Sequence, residues 1–148
     1  LNIKLNFNIM GNNLSINKIN FEDMKHIQKN ENSIIINTME PHNQNCLIEG
    51  TISIKNEENI LNNLITKGNV EEKIVIYGEN SCDNKLIKKY NQLIKLGFIN
   101  VYIYTGGLFE WLLLQDIYGN DYFKTTTVEN DFLKYKGVQK FNIKLLCN

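Results

Sequence analysis

Apolar residues in the middle of the chain follow two alternating patterns. Short β-branched runs at 33–36, 74–77 and 101–104 predict strands that are buried on both faces of a parallel sheet. Apolar residues in 57–67 and 86–96 instead recur at helical spacing, which predicts helices with one apolar face. Because strands and helices alternate, we expect an α/β fold with three layers, in which helices flank a central, mostly parallel sheet.

Further elements complete the predicted core. Asn20 is expected to cap a helix. The apolar face of that helix comprises Phe21, Met24 and Ile27. The densely apolar segment 108–116 predicts a helix that packs on more than one side, with Trp111 in the core. We also expect a short strand at 51–54 and a short helix around 132–133.

The two ends of the chain also carry alternating patterns. Apolar and polar residues alternate in 1–9 and again in 141–145, which predicts half-buried strands. These strands pair either with each other or with the sheet edge of another chain, and both arrangements stay open. Residues 10–15 match the N-myristoylation pattern, but the motif is internal, so we expect a Gly-Asn turn. The predicted divisions are an N-terminal strand extension at 1–14, a domain at 15–119 and a C-terminal tail at 120–148.

Composition narrows the classes of function. The 148 residues fit one compact domain, and 16 basic residues balance 16 acidic ones, which argues against nucleic acid as a partner. No apolar run approaches the roughly 18 residues of a transmembrane helix. The three cysteines form no CxxC pair, and with two histidines they show no metal-ligand spacing. We therefore expect no metal, no cofactor and reduced thiols in the cytoplasm.

The loop that follows the strand at 74–77 is the candidate site. Ligands of open α/β sheets lie outside the carboxyl ends of the strands, which is where this loop is expected. Its polar composition also suits a turn that caps the next helix through the side chain of Asp83 or Asn84. The loop comprises Gly78, Glu79, Asn80, Ser81, Cys82, Asp83 and Asn84.

Several segments together resemble the rhodanese domains. The segment 47–54 is similar to the family's His-Ile-Pro-Gly-Ala-Ile-Asn-Ile signature, and it keeps Gly50 and the apolar frame. The segment 34–41 resembles the family's first-strand region. The family's closing pattern is matched by 74–77, 97–102 and 106–111. The resemblance covers about 15–116, and it implies a rhodanese-like domain.

The same resemblance implies that the usual catalytic groups are missing. Active rhodanese domains place a nucleophilic cysteine directly after the strand at 74–77, and this position is Gly78 here. Their loop usually carries a basic residue, whereas this loop carries Glu79 and Asp83. Asn37 and Met39 stand where the family's first strand is followed by an acid and a base. We therefore expect no catalytic residue and a protein-binding or scaffold module, with a cytoskeletal or other large assembly as its setting.

Cys82 is the alternative nucleophile, because it lies near the start of the next helix. A helix N-terminus lowers the pKa of a thiol, but the neighbouring carboxylates of Asp83 and Glu79 act in the opposite direction. Two charges about 4 Å apart interact with about 1–4 kcal/mol. A helix terminus contributes roughly 0.3–1 kcal/mol. Repulsion is therefore expected to outweigh the helix effect.

Two other functions stay open alongside the binding module. One is a divergent sulfurtransferase that uses Cys82 with a nearby basic group. The candidate basic groups are Lys85, Lys88 and Lys89. The other is a loop that senses a small anion through its backbone N–H groups without any nucleophile.

Overall fold

Strands and helices alternate along residues 15–30 and 32–141, the part of the chain that this computed structural model describes. The strands are β1 (Lys18–Ile19), β2 (Ser33–Asn37), β3 (Lys73–Tyr77) and β4 (Val101–Tyr104). The α-helices are α1 (Phe21–Gln28), α2 (Ile54–Lys67), α3 (Lys85–Lys95) and α4 (Gly107–Tyr118). Short 3-10 helices occupy Pro41–Asn43 and Phe132–Tyr135. The order confirms the predicted α/β fold.

The four strands form one parallel sheet in the order β1-β4-β3-β2. Side chains of β3 alternate between two core clusters, one on each face of the sheet. Val75 and Tyr77 face the cluster that contains residues of α1 and α4, whereas Ile74 and Ile76 face the cluster of α2 and α3. Because both faces are covered, β3 is apolar at consecutive positions, as its sequence predicted.

The predicted cap of α1 is confirmed, and a glycine ends α2. Asn20 caps α1, since its Oδ1 accepts a 3.0 Å hydrogen bond from the N–H of Asp23 and the Asp23 carboxylate accepts the Asn20 N–H in return. Gly68 ends α2 in the left-handed conformation, with φ +74°. Trp111 is completely buried within α4, which confirms its predicted place in the core.

The predicted strand at 51–54 is wrong. The segment makes one β-bridge, between Thr51 and Ile35, and Ile52 donates its N–H to the Ile35 carbonyl at 2.9 Å. Helix α2 then begins at Ile54, earlier than the predicted residue 57, because the Ser53 hydroxyl accepts the N–H of Lys55 and caps the helix. The β-branched run therefore ends where a capping residue starts a helix.

The segment after α4 folds back onto the domain. Phe123 and Tyr135 are buried in the same core cluster as Trp111, and Trp111 Nε1 donates a 3.2 Å hydrogen bond to the Lys124 carbonyl. The short helix predicted around 132–133 is present as a 3-10 helix. The turn predicted at 10–15 lies almost wholly outside the described residues. So do the strands predicted at 1–9 and 141–145, and their pairing stays a prediction.

The hydroxyl of Tyr77 fixes the connection between β2 and α2. It accepts a 3.1 Å hydrogen bond from the Ile48 N–H and lies 2.8 Å from Thr51 Oγ1. Thr51 uses its own proton to donate to the Ile48 carbonyl at 2.6 Å, so Tyr77 is the donor to Thr51. Tyr77 is completely buried, and this burial raises the pKa of its phenol.

Replacing Tyr77 by Phe is expected to lower the free energy of unfolding by about 1–3 kcal/mol, because the Ile48 N–H loses its acceptor in the core. Urea denaturation at pH 8 measures this loss. Replacement of the exposed Tyr118 by Phe is the matched control, and an equal loss in both variants would contradict the role given to the Tyr77 hydroxyl.

The same variant tests a dependence on pH. Below pH 10 the Tyr77 phenol is protonated in both states, and above it the unfolded chain ionises while the folded chain keeps the proton. Stability is therefore lost as pH rises above 10. Relative to the unaltered chain, Tyr77→Phe should reduce this slope by about 1.4 kcal/mol per pH unit.

Candidate functional site

The candidate loop begins where two paired strands end. The N–H of Thr38 donates a 2.9 Å hydrogen bond to the Tyr77 carbonyl, which continues the pairing of β2 and β3 by one residue. Thr38 and Gly78 therefore leave the carboxyl edge of the sheet side by side. This is the edge at which ligands of open α/β sheets bind.

The start of α4 packs directly onto the first residues of the loop. The N–H groups of Leu108 and Phe109 donate 2.9 Å hydrogen bonds to the carbonyls of Gly78 and Glu79. Gly107 has φ +66°, and a Cβ on it would lie 2.7 Å from the Gly78 oxygen. A glycine at this position is required by both the conformation and the close backbone contact.

The carboxylate of Asp83 fills the space above Gly78. A Cβ on Gly78 would lie 2.2 Å from Asp83 Oδ2 and 3.0 Å from Thr38 Oγ1. Asp83 Oδ2 accepts a 3.2 Å hydrogen bond from the Thr38 hydroxyl, and its Oδ1 accepts the Lys85 N–H at 2.9 Å. Asp83 therefore caps α3, whereas the side chain of Asn84 makes no cap hydrogen bond.

Asn80 organises the rest of the loop. Its Oδ1 accepts the Cys82 N–H at 2.9 Å, and its carbonyl accepts the Asp83 N–H at 3.2 Å. Two backbone N–H groups of the loop are therefore used in hydrogen bonds within the loop. Cys82 is an exposed free thiol, and its sulfur lies beside Gly137.

A family model of the rhodanese-like domain matches residues 20–114, more than half of the chain. This chain belongs to the rhodanese-like domain family. No curated protein is significantly similar to it.

Solved structures with a similar fold include two of an Anabaena sp. protein. The solution structure of its rhodanese-like domain is 18% identical, with a TM-score of 0.54, and covers 88% of this chain and 93% of that one. A crystal structure of the Anabaena protein is also 18% identical, with a TM-score of 0.53, and covers 78% of this chain and 97% of that one. At this identity, the similarity shows the fold alone.

The acids around the loop of this rhodanese-like domain have partners. Glu79 Oε1 accepts a 2.7 Å hydrogen bond from Asn43 Nδ2. Glu40 accepts a hydrogen bond from Lys85 Nζ at 2.6 Å, which lowers the pKa of Glu40 and raises that of Lys85. This pair is about half exposed, so it adds little to stability.

Lys89, a second candidate basic group, is also paired. Its ammonium forms an ion pair with Glu57. Two of the three lysines that sequence analysis offered as anion-binding groups, Lys85 and Lys89, are thus held by carboxylates of the domain.

Several contacts of the site were not predicted from the sequence. Thr38 and Asn43 come from the connection after β2. Thr38 lies within the segment 34–41 that resembles the family's first strand, between the compared positions 37 and 39, and Asn43 lies outside the matched segments.

The buried Nδ2 of Asn80 donates a 2.8 Å hydrogen bond to the carbonyl of Tyr135. The tail carries several aromatic residues, among them the exposed Tyr122 and Phe141, so its composition did not single out Tyr135.

Two other kinds of feature, a metal site and a membrane-spanning helix, are absent from residues 15–30 and 32–141. Within these ranges no group of three or more His, Cys, Asp and Glu side chains is arranged to hold a metal ion. None of the helices described there is long and apolar enough to cross a membrane. Cys46 is a free, buried thiol, and it lies in the core rather than in the loop.

Replacing Gly107 by Ala is expected to lower the free energy of unfolding by about 2–4 kcal/mol, because the methyl group collides with the backbone of the loop in addition to the cost of positive φ. Gly119→Ala is the matched control, since φ is +97° there and no atom lies within 4 Å of its Cβ position. Equal losses in thermal unfolding would contradict the steric role of the loop contact.

Proposed function

We propose that this rhodanese-like domain is catalytically inactive and serves as a protein-binding or scaffold module. The observation that carries the proposal is the Asp83 carboxylate above Gly78. Gly78 stands where active members of the family have their cysteine, and Asp83 Oδ2 lies 2.2 Å from the position of the missing Cβ. The place of the nucleophile is therefore filled by an acid of the same loop.

Electrostatics adds to this steric argument. Sulfur transfer requires a thiolate and an anionic donor such as thiosulfate, and a carboxylate in the same place repels both. At about 4 Å, this repulsion amounts to about 1–4 kcal/mol for each pair of charges. Asp83 also takes the Lys85 N–H, a donor at the helix N-terminus that would otherwise be available to an anion.

The position of Cys82 in the loop does little to activate its thiol as a nucleophile. Its N–H is directed to Asn80 Oδ1, and its sulfur is exposed beside Gly137 rather than centred over free backbone donors. The exposed thiol is nevertheless the one feature that favours the second candidate function, a divergent sulfurtransferase that uses Cys82. The enzyme assay separates the two functions.

The proposed partner is a protein or a larger assembly in the cytoplasm, with the cytoskeleton as one setting. Balanced charge argues against nucleic acid, and the free thiols of Cys46 and Cys82 suit a reducing compartment. Fold membership supports a stable platform for such contacts.

Purified protein is expected to show no turnover in a thiosulfate:cyanide sulfurtransferase assay or in a persulfide-transfer assay. Cys82→Ser should be indistinguishable from the unaltered chain in both. Turnover that disappears in Cys82→Ser would overturn the proposal and establish the sulfurtransferase.

Restoring the cysteine tests the role of Asp83. In a chain with Cys82 and Cys147 replaced by serine, Gly78→Cys is expected to give a thiol that iodoacetamide alkylates slowly at pH 7, because Asp83 raises its pKa. Adding Asp83→Asn should accelerate alkylation about tenfold or more, by the same charge argument. Asp121→Asn, on an exposed turn, is the control. Equal rates with and without Asp83 would show that the carboxylate does not govern this position.

A further inference from the structure

The last described residues, 132–141, lie across the candidate loop and are called the strap here. The buried Nδ2 of Asn80 donates a 2.8 Å hydrogen bond to the backbone carbonyl of Tyr135. Two residues further on, a Cβ on Gly137 would lie 3.3 Å from Cys82 Sγ and 3.7 Å from Asn80 Oδ1. The strap therefore contacts the loop both through a main-chain carbonyl and through a glycine.

Tyr135 anchors the strap. Its side chain is completely buried in the core cluster that contains Trp111 and Phe123. The Nζ of Lys134, which is paired with the Glu129 carboxylate, lies 4.9 Å from the centre of this ring. The anchor is therefore held by packing of the ring and by a cation–π contact.

The residues on either side of this anchor face the solvent. Leu133 is 50% exposed and Val138 is 84% exposed. Phe132 is partly buried and packs on the same core cluster as Tyr135. A segment that inserts two aromatic side chains and leaves the residues between and after them mostly exposed has the character of a bound peptide.

We propose that the loop 78–84 and the place in the core cluster that the Tyr135 ring fills, called the Tyr135 pocket, form a peptide-binding surface. In this structure the strap occupies it. The surface would take a segment of a partner protein in which an aromatic residue is followed two positions later by glycine. The aromatic ring fills the pocket, its carbonyl accepts the Asn80 amide, and the glycine avoids a collision with Cys82 Sγ. This inference rests on the proposed protein-binding function and names its site and the chemistry of its partner.

The strap competes with the partner because it belongs to the same chain. A tethered ligand has a high effective concentration, and a second ligand binds only the fraction of molecules in which the tether has left the site. Weakening the strap therefore increases the apparent affinity for a partner peptide.

The test uses the full chain and a fluorescein-labelled peptide with the sequence of residues 129–141, followed by fluorescence anisotropy. Gly137→Val crowds Cys82 without removing a core side chain, and it should bind the peptide at least about tenfold more tightly than the unaltered chain. Tyr135→Ala, which removes the anchor, should show the same gain. Val138→Ala changes an exposed strap residue and should show none.

Two changes test the recognition itself. A peptide with alanine at the position of Tyr135 should bind Gly137→Val at least about tenfold more weakly, since it lacks the ring that fills the pocket. Asn80→Ala, combined with Gly137→Val, should weaken binding of the original peptide. If Tyr135→Ala does not fold, peptide binding by Gly137→Val alone decides the outcome.

The proposal is overturned if folded Gly137→Val, checked by circular dichroism, does not bind the peptide, or if it binds the tyrosine and alanine peptides equally. If either result is obtained and the protein shows no sulfurtransferase turnover, the peptide-binding surface is excluded. The proposed inactive binding module then still stands. Turnover that depends on Cys82 overturns the proposed function independently of the peptide result.

Discussion

The parallel pairing of β2 with β3 is the constraint on which the rest of the site depends. The paired residues run from Ser33 opposite Lys73 to Asn37 opposite Tyr77. The Thr38 N–H adds one more hydrogen bond, to the Tyr77 carbonyl. Because side chains alternate along a strand, a slip of one residue would turn every side chain to the opposite face. The register therefore decides that the Thr38 hydroxyl meets Asp83 and that the Tyr77 hydroxyl meets Ile48.

The chain itself covers the first part of the loop that follows this pairing, whereas Ser81, Cys82 and Asn84 stay exposed. Helix α4 contacts it through Gly107, the Asp83 carboxylate fills the space over Gly78, and Tyr135 approaches from the tail. An anion-binding cradle needs free N–H groups and positive potential. In this domain some of those N–H groups are used internally, and the central charge is negative. The backbone of the loop therefore surrounds a carboxylate and not a cationic side chain.

Much of the fold could be predicted because its periodicities are strong. The strands β2, β3 and β4 and the helix α4 were expected within one or two residues of their observed bounds, since buried strands and densely apolar helices leave clear patterns. The strand β1 has two residues and leaves no such pattern. The start of α2 was missed because the β-branched residues before Ser53 favour a strand, whereas the serine caps a helix.

The candidate site was predictable only in its composition. The sequence by itself determined the α/β fold, the glycine at position 78 and the acids around it, because residue identity and local spacing are properties of short segments. The tertiary structure alone decided that Asp83 occupies the space above Gly78 and that the tail contacts the loop. These contacts join Thr38 to Asp83, 45 residues apart, and Asn80 to Tyr135, 55 residues apart. They exist because strand register and helix packing bring distant segments together, and no local pattern records that.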